Sequence, residues 1–205
     1  MTEIRAIFFD LGNVIVKVNP EVLEKGFADC GKIIIGKFIS QFMVSDDYNR
    51  YTEGKLTSSQ FYSRTKKLYR LDIKYREFYD LWNKVLEPYP EMEEIVRNLK
   101  KDYPDIKMIL VSNTNEVHYD FVREKYKILD LLDGHITSHE EGMQKPDPEI
   151  FVRALKLADT LPKETFYTDD REDLISAART MGIRAFQFHD HHQFQAQLAK
   201  FNIKI

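Results

Sequence analysis

The chain has 205 residues, 43% of them apolar and 13% aromatic, which is enough to bury a sizeable core and excludes a wholly disordered chain. Lysine and arginine number 30 against 33 aspartates and glutamates, a net charge of -3, so the basic footprint of a nucleic-acid binder is missing. Cys30 is the single cysteine, which excludes an internal disulfide and a cysteine zinc cluster.

Residues 1–5 carry no positive region followed by a long apolar segment, and the longest apolar stretch breaks at Asp10, short of a membrane span. The expectation is a soluble, cytoplasmic protein that meets neither membrane nor nucleic acid. Ala6-Ile7-Phe8-Phe9 reads as a first strand ending at a carboxylate. Roughly eighty residues then precede the next core helix, far beyond an ordinary strand-to-helix connection. That interval reads as helical. Residues 21–42 are patchily apolar, Thr57-Ser58-Ser59-Gln60 is a capping box opening a helix through Phe61, Leu68 and Tyr69, and residues 73–86 carry Phe78, Leu81, Trp82 and Val85. The aromatics Phe61, Tyr62, Phe78, Tyr79 and Trp82 fall at helical spacing and are expected mostly in a core. The pattern predicts a helical cap domain over residues 19–87, with hinges near Val18-Asn19-Pro20 and Glu87-Pro88, inserted into a core domain made of residues 1–18 and 88–205.

Further along, Met92, Ile95, Val96, Leu99 and Tyr103 paint one helical stripe. Residues 106–111 read as a strand and residues 134–138 as a weaker one. A helix opens at Pro148 and runs to Leu157. Phe166-Tyr167-Thr168 is a strand, residues 174–181 a helix stopped at Gly182, and residues 185–188 a last strand. His189, His191 and His192 lack metal-site spacing and are expected on the surface. Continuous apolar strands alternating with amphipathic helices predict an α/β fold with a doubly wound parallel sheet.

In such sheets ligands bind beyond the carboxyl ends of the strands. Those ends deliver Asp10 with Leu11-Gly12-Asn13, then Ser112-Asn113-Thr114-Asn115, then Lys145-Pro146, then Asp169-Asp170-Arg171. Taken singly, each is ordinary turn or capping chemistry. Together they suit phosphoryl transfer. Asp10 with one or both of Asp169 and Asp170 can hold an oxygen-loving Mg²⁺. Ser112 and the backbone N–H groups after it can bond phosphoryl oxygens, and Lys145 adds positive charge. Asp10 can itself attack phosphorus to give an acyl phosphate.

Phe8-Phe9-Asp10-Leu11-Gly12-Asn13-Val14, Leu110-Val111-Ser112-Asn113, Lys145-Pro146 and Phe166-Tyr167-Thr168-Asp169-Asp170 resemble the four ordered motifs of the haloacid dehalogenase-like (HAD) hydrolases, over nearly the whole chain. Tyr51-Thr52-Glu53-Gly54-Lys55 is similar to a stretch of that family's cap. The wording is most similar to the subgroup of α-glucose-1-phosphate phosphatase-like members. The resemblance implies a Mg²⁺-dependent phosphatase of small phosphorylated metabolites, sugar phosphates favoured. Asp10 would be the nucleophile, Ser112 and Asn113 would bind phosphate, and Lys145 would orient both. Asp170, with Asp169 beside it, Asp10 and the carbonyl of Gly12 would hold the metal.

Two departures from the family pattern stand out. Gly12 occupies the place where most family phosphatases carry an acid/base aspartate, a loss that typically slows ester hydrolysis by roughly 10²–10⁴-fold. An anomeric sugar phosphate, having a better leaving group, would need that help less; Asn13, His118 or a water could substitute, although His118 is expected on a helix surface. Leu174 stands where relatives often carry Asn or Asp, with Asp173 one place early. A second reading therefore stays open, a non-catalytic binding protein that kept the fold and lost turnover. No motif addresses the oligomeric state.

Overall fold

The computed structural model describes residues 3–205. The elements in chain order are β1 (Ala6–Phe9), β2 (Val16–Val18), α1 (Pro20–Cys30), α2 (Phe38–Phe42), α3 (Asp46–Thr52), α4 (Ser58–Tyr69), α5 (Tyr75–Asn83), β3 (Leu86–Pro88) and α6 (Pro90–Asp102). There follow β4 (Lys107–Ser112), α7 (Glu116–Tyr126), β5 (Gly134–Thr137), α8 (Ser138–Glu141), α9 (Pro148–Ala158), β6 (Thr165–Asp169), α10 (Glu172–Thr180), β7 (Arg184–Gln187) and α11 (His191–Ala199).

Five strands form one sheet in the order β5-β4-β1-β6-β7, and every pairing is parallel. Side chains along a strand alternate between faces, so a strand apolar at every position must be covered twice. Ala6, Phe8, Ile109, Val111 and Tyr167 pack with Ile150 and Phe151 of α9 and Ile175 of α10. Their neighbours Ile7, Phe9, Met108, Leu110 and Phe166 pack with Met92 and Val96 of α6, Val122 of α7 and Phe194 of α11. Each fully buried large side chain contributes roughly 1.5–3 kcal/mol relative to exposure. Both helical layers are thus dictated by the strands they cover, and the doubly wound α/β architecture follows.

The interval between β2 and β3 is helical, with differences from the expected layout. Residues 21–42 do not form one helix: α1 stops at Gly31, where a Cβ would lie 2.4 Å from Leu71 Cδ2. The chain then loops back onto Glu24, whose Oε1 accepts from the N–H groups of Gly36 at 2.9 Å and Phe38 at 3.2 Å before α2 begins. The capping box forms at α4, with Gln60 N–H donating to Thr57 Oγ1 and Thr57 N–H to Gln60 Oε1. Residues 73–86 are not one helix either. The helix α5 ends at Asn83, and Leu86 enters β3, which pairs antiparallel with β2 through Val16 opposite Pro88 and Val18 opposite Leu86. Where two hinges are expected, a two-stranded ribbon joins the helical insert to the sheet. Phe27, Phe42, Phe61, Phe78 and Trp82 are buried in the same apolar cluster as the α6–α7–α11 layer. No helix among the described residues is long and apolar enough to cross a membrane.

Candidate active site at the carboxyl edge of the sheet

The strand register places the carboxylates. Phe9 lies level with Thr168 of β6 and with Leu110 of β4, so one step further Asp10 stands beside Asp169 and beside the end of β4. Asp10 N–H donates to the Thr168 carbonyl at 3.1 Å, which extends the ladder to the first site residue. Asp10, Gly12, Ser112, Asn113, Lys145, Asp169 and Asp170 all line one cavity of about 570 Å³. Oxygens of Asp10, Asp169 and Asp170 lie within 4.8 Å of one another.

Lys145 sits among them with its side chain fully buried. Its three N–H groups are shared among four oxygens: Asp10 Oδ1 at 2.7 Å, Asp169 Oδ2 at 2.6 Å, the Val111 carbonyl at 2.8 Å and the Tyr167 hydroxyl at 3.0 Å. Tyr167 also donates to Asp169 Oδ2, whose other oxygen accepts from Arg171 N–H. Asn113 holds the loop that carries Lys145: its Nδ2 donates to the Lys145 carbonyl at 2.9 Å and its Oδ1 accepts from the Lys145 N–H at 2.7 Å. That side chain is therefore committed to the loop. Ser112 is 1% exposed and lines the cavity beside it.

Electrostatics here are asymmetric. Burial raises the Asp10 carboxyl above the usual range against the pull of Lys145, and Asp169 and Asp170 add to the rise. Burial also raises Asp170, opposed by the hydrogen bond from Asn13 Nδ2 at 2.8 Å. Asp169 goes the other way: burial is outweighed by the Lys145 ammonium and the hydrogen bonds it accepts. Burial would likewise lower Lys145, but Asp10 and Asp169 keep its ammonium charged. Three carboxylates around one ammonium leave excess negative charge in a low-dielectric place. An oxygen-only donor set of this kind fits a hard divalent cation.

Gly12 leaves an acid little room, because Val18 would have to shift by a few tenths of an ångström. A Cβ there would lie 3.2 Å from Val18 Cγ2 and 3.9 Å from Asp10 Oδ2, so the β2 side chain fills the space beside the nucleophile candidate. Asn13 takes a left-handed conformation, φ 57°, and ties Asp170 to the ribbon, since its Oδ1 accepts from Val18 N–H at 3.1 Å. Leu174 is buried and also lines the cavity, while Asp173 pairs with Arg171 at 2.6 Å.

His118 is not the helix-surface residue expected from its sequence. Its ring stacks on Trp82 of α5, centroids 5.0 Å apart and planes 20° from parallel, and it lines the cavity. Nε2 lies 3.1 Å from the Trp82 carbonyl and must carry the proton; Nδ1 then accepts from Asn115 Nδ2 at 3.2 Å. Asn115 Oδ1 accepts in turn from the indole of Trp82 at 3.4 Å. Burial lowers the His118 pKa to about 4. Its partner Trp82 is distant in sequence, so no local signal reveals this placement. His191 lies beside Tyr89, with 3.5 Å between Nδ1 and the hydroxyl, at the start of α11.

The insert also touches the site's far rim. Ser138 Oγ of α8 donates to the Thr52 carbonyl at 2.6 Å, and Thr52 Oγ1 donates to Gln144 Oε1 at 3.3 Å. Gly54, φ +67°, passes so close to the His139 carbonyl that a Cβ would lie 2.1 Å from its oxygen. The stretch from Tyr51 to Lys55 is therefore the place where the insert rests on the loops beyond β4 and β5.

A family model described as haloacid dehalogenase-like hydrolase matches residues 4–182. The sesquiterpene phosphatase astK of Aspergillus oryzae is 26% identical over 193 residues, 92% of this chain and 92% of its own. The D-ribitol-5-phosphate phosphatase of Bacteroides thetaiotaomicron is 26% identical over 194 residues, 90% of this chain and 91% of its own. A solved HAD family enzyme from Bacteroides thetaiotaomicron, in complex with magnesium and inorganic phosphate, superposes with a TM-score of 0.81 at 24% identity, covering 93% of this chain and 99% of its own. At that identity the likeness shows the shared fold.

Proposed function

Since the chain belongs to the haloacid dehalogenase-like hydrolases, we propose that it is a Mg²⁺-dependent phosphomonoesterase working through an aspartyl-phosphate on Asp10. The observation that carries this reading is the buried Lys145 ammonium shared between Asp10 and Asp169, with Asp170 completing a cation-sized cluster of carboxylates under the insert. Mg²⁺ held by Asp10, Asp170, Asp169 and the Gly12 carbonyl would neutralise the phosphoryl charge that bare carboxylates repel.

The remaining roles belong to the chain. Lys145 engages Asp10 Oδ1 and so fixes the side chain with Oδ2 beside Gly12. That carboxylate attacks phosphorus, the bond to the ester oxygen breaks, and the departing alcohol takes a proton from water. Ser112 and the Asn113 N–H hold the phosphoryl oxygens, and the buried Lys145 ammonium, its N–H groups spent on protein oxygens, offsets their charge. Water then attacks the acyl phosphate, returning Asp10 as a carboxylate and releasing inorganic phosphate. Residues 19–87 act as the cap that excludes bulk water during these steps.

Of the substitutes for an acid at position 12, the two side chains are committed elsewhere. Asn13 is bonded to Asp170 and the ribbon, and His118 is neutral with both nitrogens engaged. That observation favours water as the proton donor; it also gives the non-catalytic reading its best support. The two relatives named above act on alcohols of opposite polarity, so kinship alone selects no leaving group.

The deciding experiment is phosphate release from aryl and alkyl phosphates with Mg²⁺ or with EDTA, beside Asp10→Asn. Expected are Mg²⁺-dependent turnover, its loss in Asp10→Asn by roughly 10³-fold or more, and an acid-stable phosphoryl group on the quenched wild-type protein alone. Turnover that persists in Asp10→Asn would overturn the nucleophile, and no turnover on any ester would favour the binding protein.

A further inference from the structure

The cavity wall opposite the carboxylates bears on which alcohol the site takes. We propose that the substrate is the phosphomonoester of an apolar, hydrocarbon-rich alcohol and not a sugar phosphate, a refinement that rests on the phosphomonoesterase reading. The cavity of about 570 Å³ is far larger than a phosphoryl group needs and lies in the range that encloses a drug-sized ligand. The insert contributes Leu23, Ile39, Met43, Val44, Trp82 and Val85 to its lining, all carbon-rich side chains.

Three of the polar groups that share this wall are spent, while Tyr48, Asn49 and Gln144 keep polar atoms without a protein partner among the described residues. The indole N–H of Trp82 goes to Asn115, both His118 nitrogens are bonded within the protein, and the single proton of the Thr52 hydroxyl has the Asn49 carbonyl at 3.0 Å and Gln144 Oε1 at 3.3 Å as its acceptors. Tyr48 and Asn49 add two polar side chains to this side. A sugar phosphate presents a hydroxyl on nearly every carbon, and each one buried without a partner weakens binding by roughly tenfold or more. A hydrocarbon asks nothing of such a wall.

A second observation concerns the cavity's edge. Met43 and Val44 are 43% and 74% exposed although both are apolar. An alkyl or isoprenoid-like chain leaving the phosphate site would cover these side chains, whereas a hexose phosphate carries no apolar chain to lay over them.

A homologous series of 4-alkylphenyl phosphates, methyl to octyl, varies apolar length while leaving-group acidity stays constant. The expected result is a kcat/KM rising up to about fourfold for each buried methylene until the wall is filled, with octyl phosphate exceeding a hexose 6-phosphate, both being esters of primary alcohols. Ile39→Asn and Val44→Asp, one half-buried and one exposed, should each flatten that slope. A flat series in the wild type, or a hexose 6-phosphate outrunning octyl phosphate, would overturn the proposal.

Binding separates this outcome from failure of the phosphatase reading. Trp82 is the single tryptophan, so its fluorescence reports directly on the wall. In Asp10→Asn with Mg²⁺, octylphosphonate should bind at least 100-fold more tightly than methylphosphonate, whether or not the wild type turns over any ester. Equal affinities would refute the apolar wall even in an active enzyme.

Discussion

The Lys145 ammonium has carboxylate oxygens at 2.6 and 2.7 Å and no solvent-facing surface. Such a group is a fixed charge, and it leaves one weak point in the design, the absence of an acid beside Asp10. A Cβ at residue 12 would lie 3.2 Å from Val18 Cγ2, so a side chain there requires Val18 to give way. Gly12→Asp alone should therefore gain little, since its Cβ and Val18 compete for the same few tenths of an ångström. Gly12→Asp combined with Val18→Ala should raise kcat on a simple alkyl phosphate by roughly 10²-fold, the lower range for a general acid. Steady-state rates on the two variants measure this, and an unchanged double variant would mean that proton delivery does not limit turnover. The strand-end carboxylates were legible in the sequence because each follows an apolar run. Asn113 was legible only as a polar strand end, because its bond to the Lys145 backbone joins two loops that no local pattern connects.

At the scale of elements, α7 is joined to α5 by a closed circuit of His118, Trp82 and Asn115. That circuit requires a neutral imidazole. His118 titrates near 4 in the fold against 6.5 for the free side chain, and burial also lowers His135 and His139. At these histidines the unfolded chain then binds more protons between those limits. Their contribution to stability is therefore complete above pH 6.5 and declines as the pH falls toward 4, while the raised Asp10 and Asp170 carboxyls act in the opposite sense. The urea midpoint of the wild type minus that of His118→Phe, a difference in which the carboxyls cancel, should shrink from pH 7.5 to 6 to 5. Identical pH dependence in the variant would remove His118 from this account. The five sheet strands were readable because burial on both faces makes them apolar throughout. In contrast, β2 and β3 are three residues each, bury little beyond Val16 and Leu86, and exist by pairing with one another across the whole insert. Nothing local marks such a ribbon. Likewise α7 buries only Tyr119 and Val122, too thin a stripe to announce a helix.

For the whole molecule, the carboxylate cluster is a cost to folding that a cation should remove. Ligand binding to the folded state alone stabilises by about 2.7 kcal/mol at a hundredfold excess over Kd, which for a chain of this size is a rise in Tm of roughly 5–10 °C. Thermal unfolding with and without Mg²⁺ should show that rise in the wild type and little of it in Asp170→Asn. An unmoved wild-type Tm would argue against the cation. The ribbon has a consequence of another kind. The chain leaves the sheet at Asn19 and returns at Val85, and the N–H of the first donates to the carbonyl of the second at 2.7 Å. To the sheet, the entire insert is a hairpin loop whose two ends are already clasped. Changing the length of what lies between them adds to the closure of that loop only a slow logarithmic penalty, as long as the packing of α5 on α7 is kept. The choice of alcohol can therefore change through the insert's cavity-facing side chains while the clasp and the α5–α7 contact keep it seated over the carboxylates.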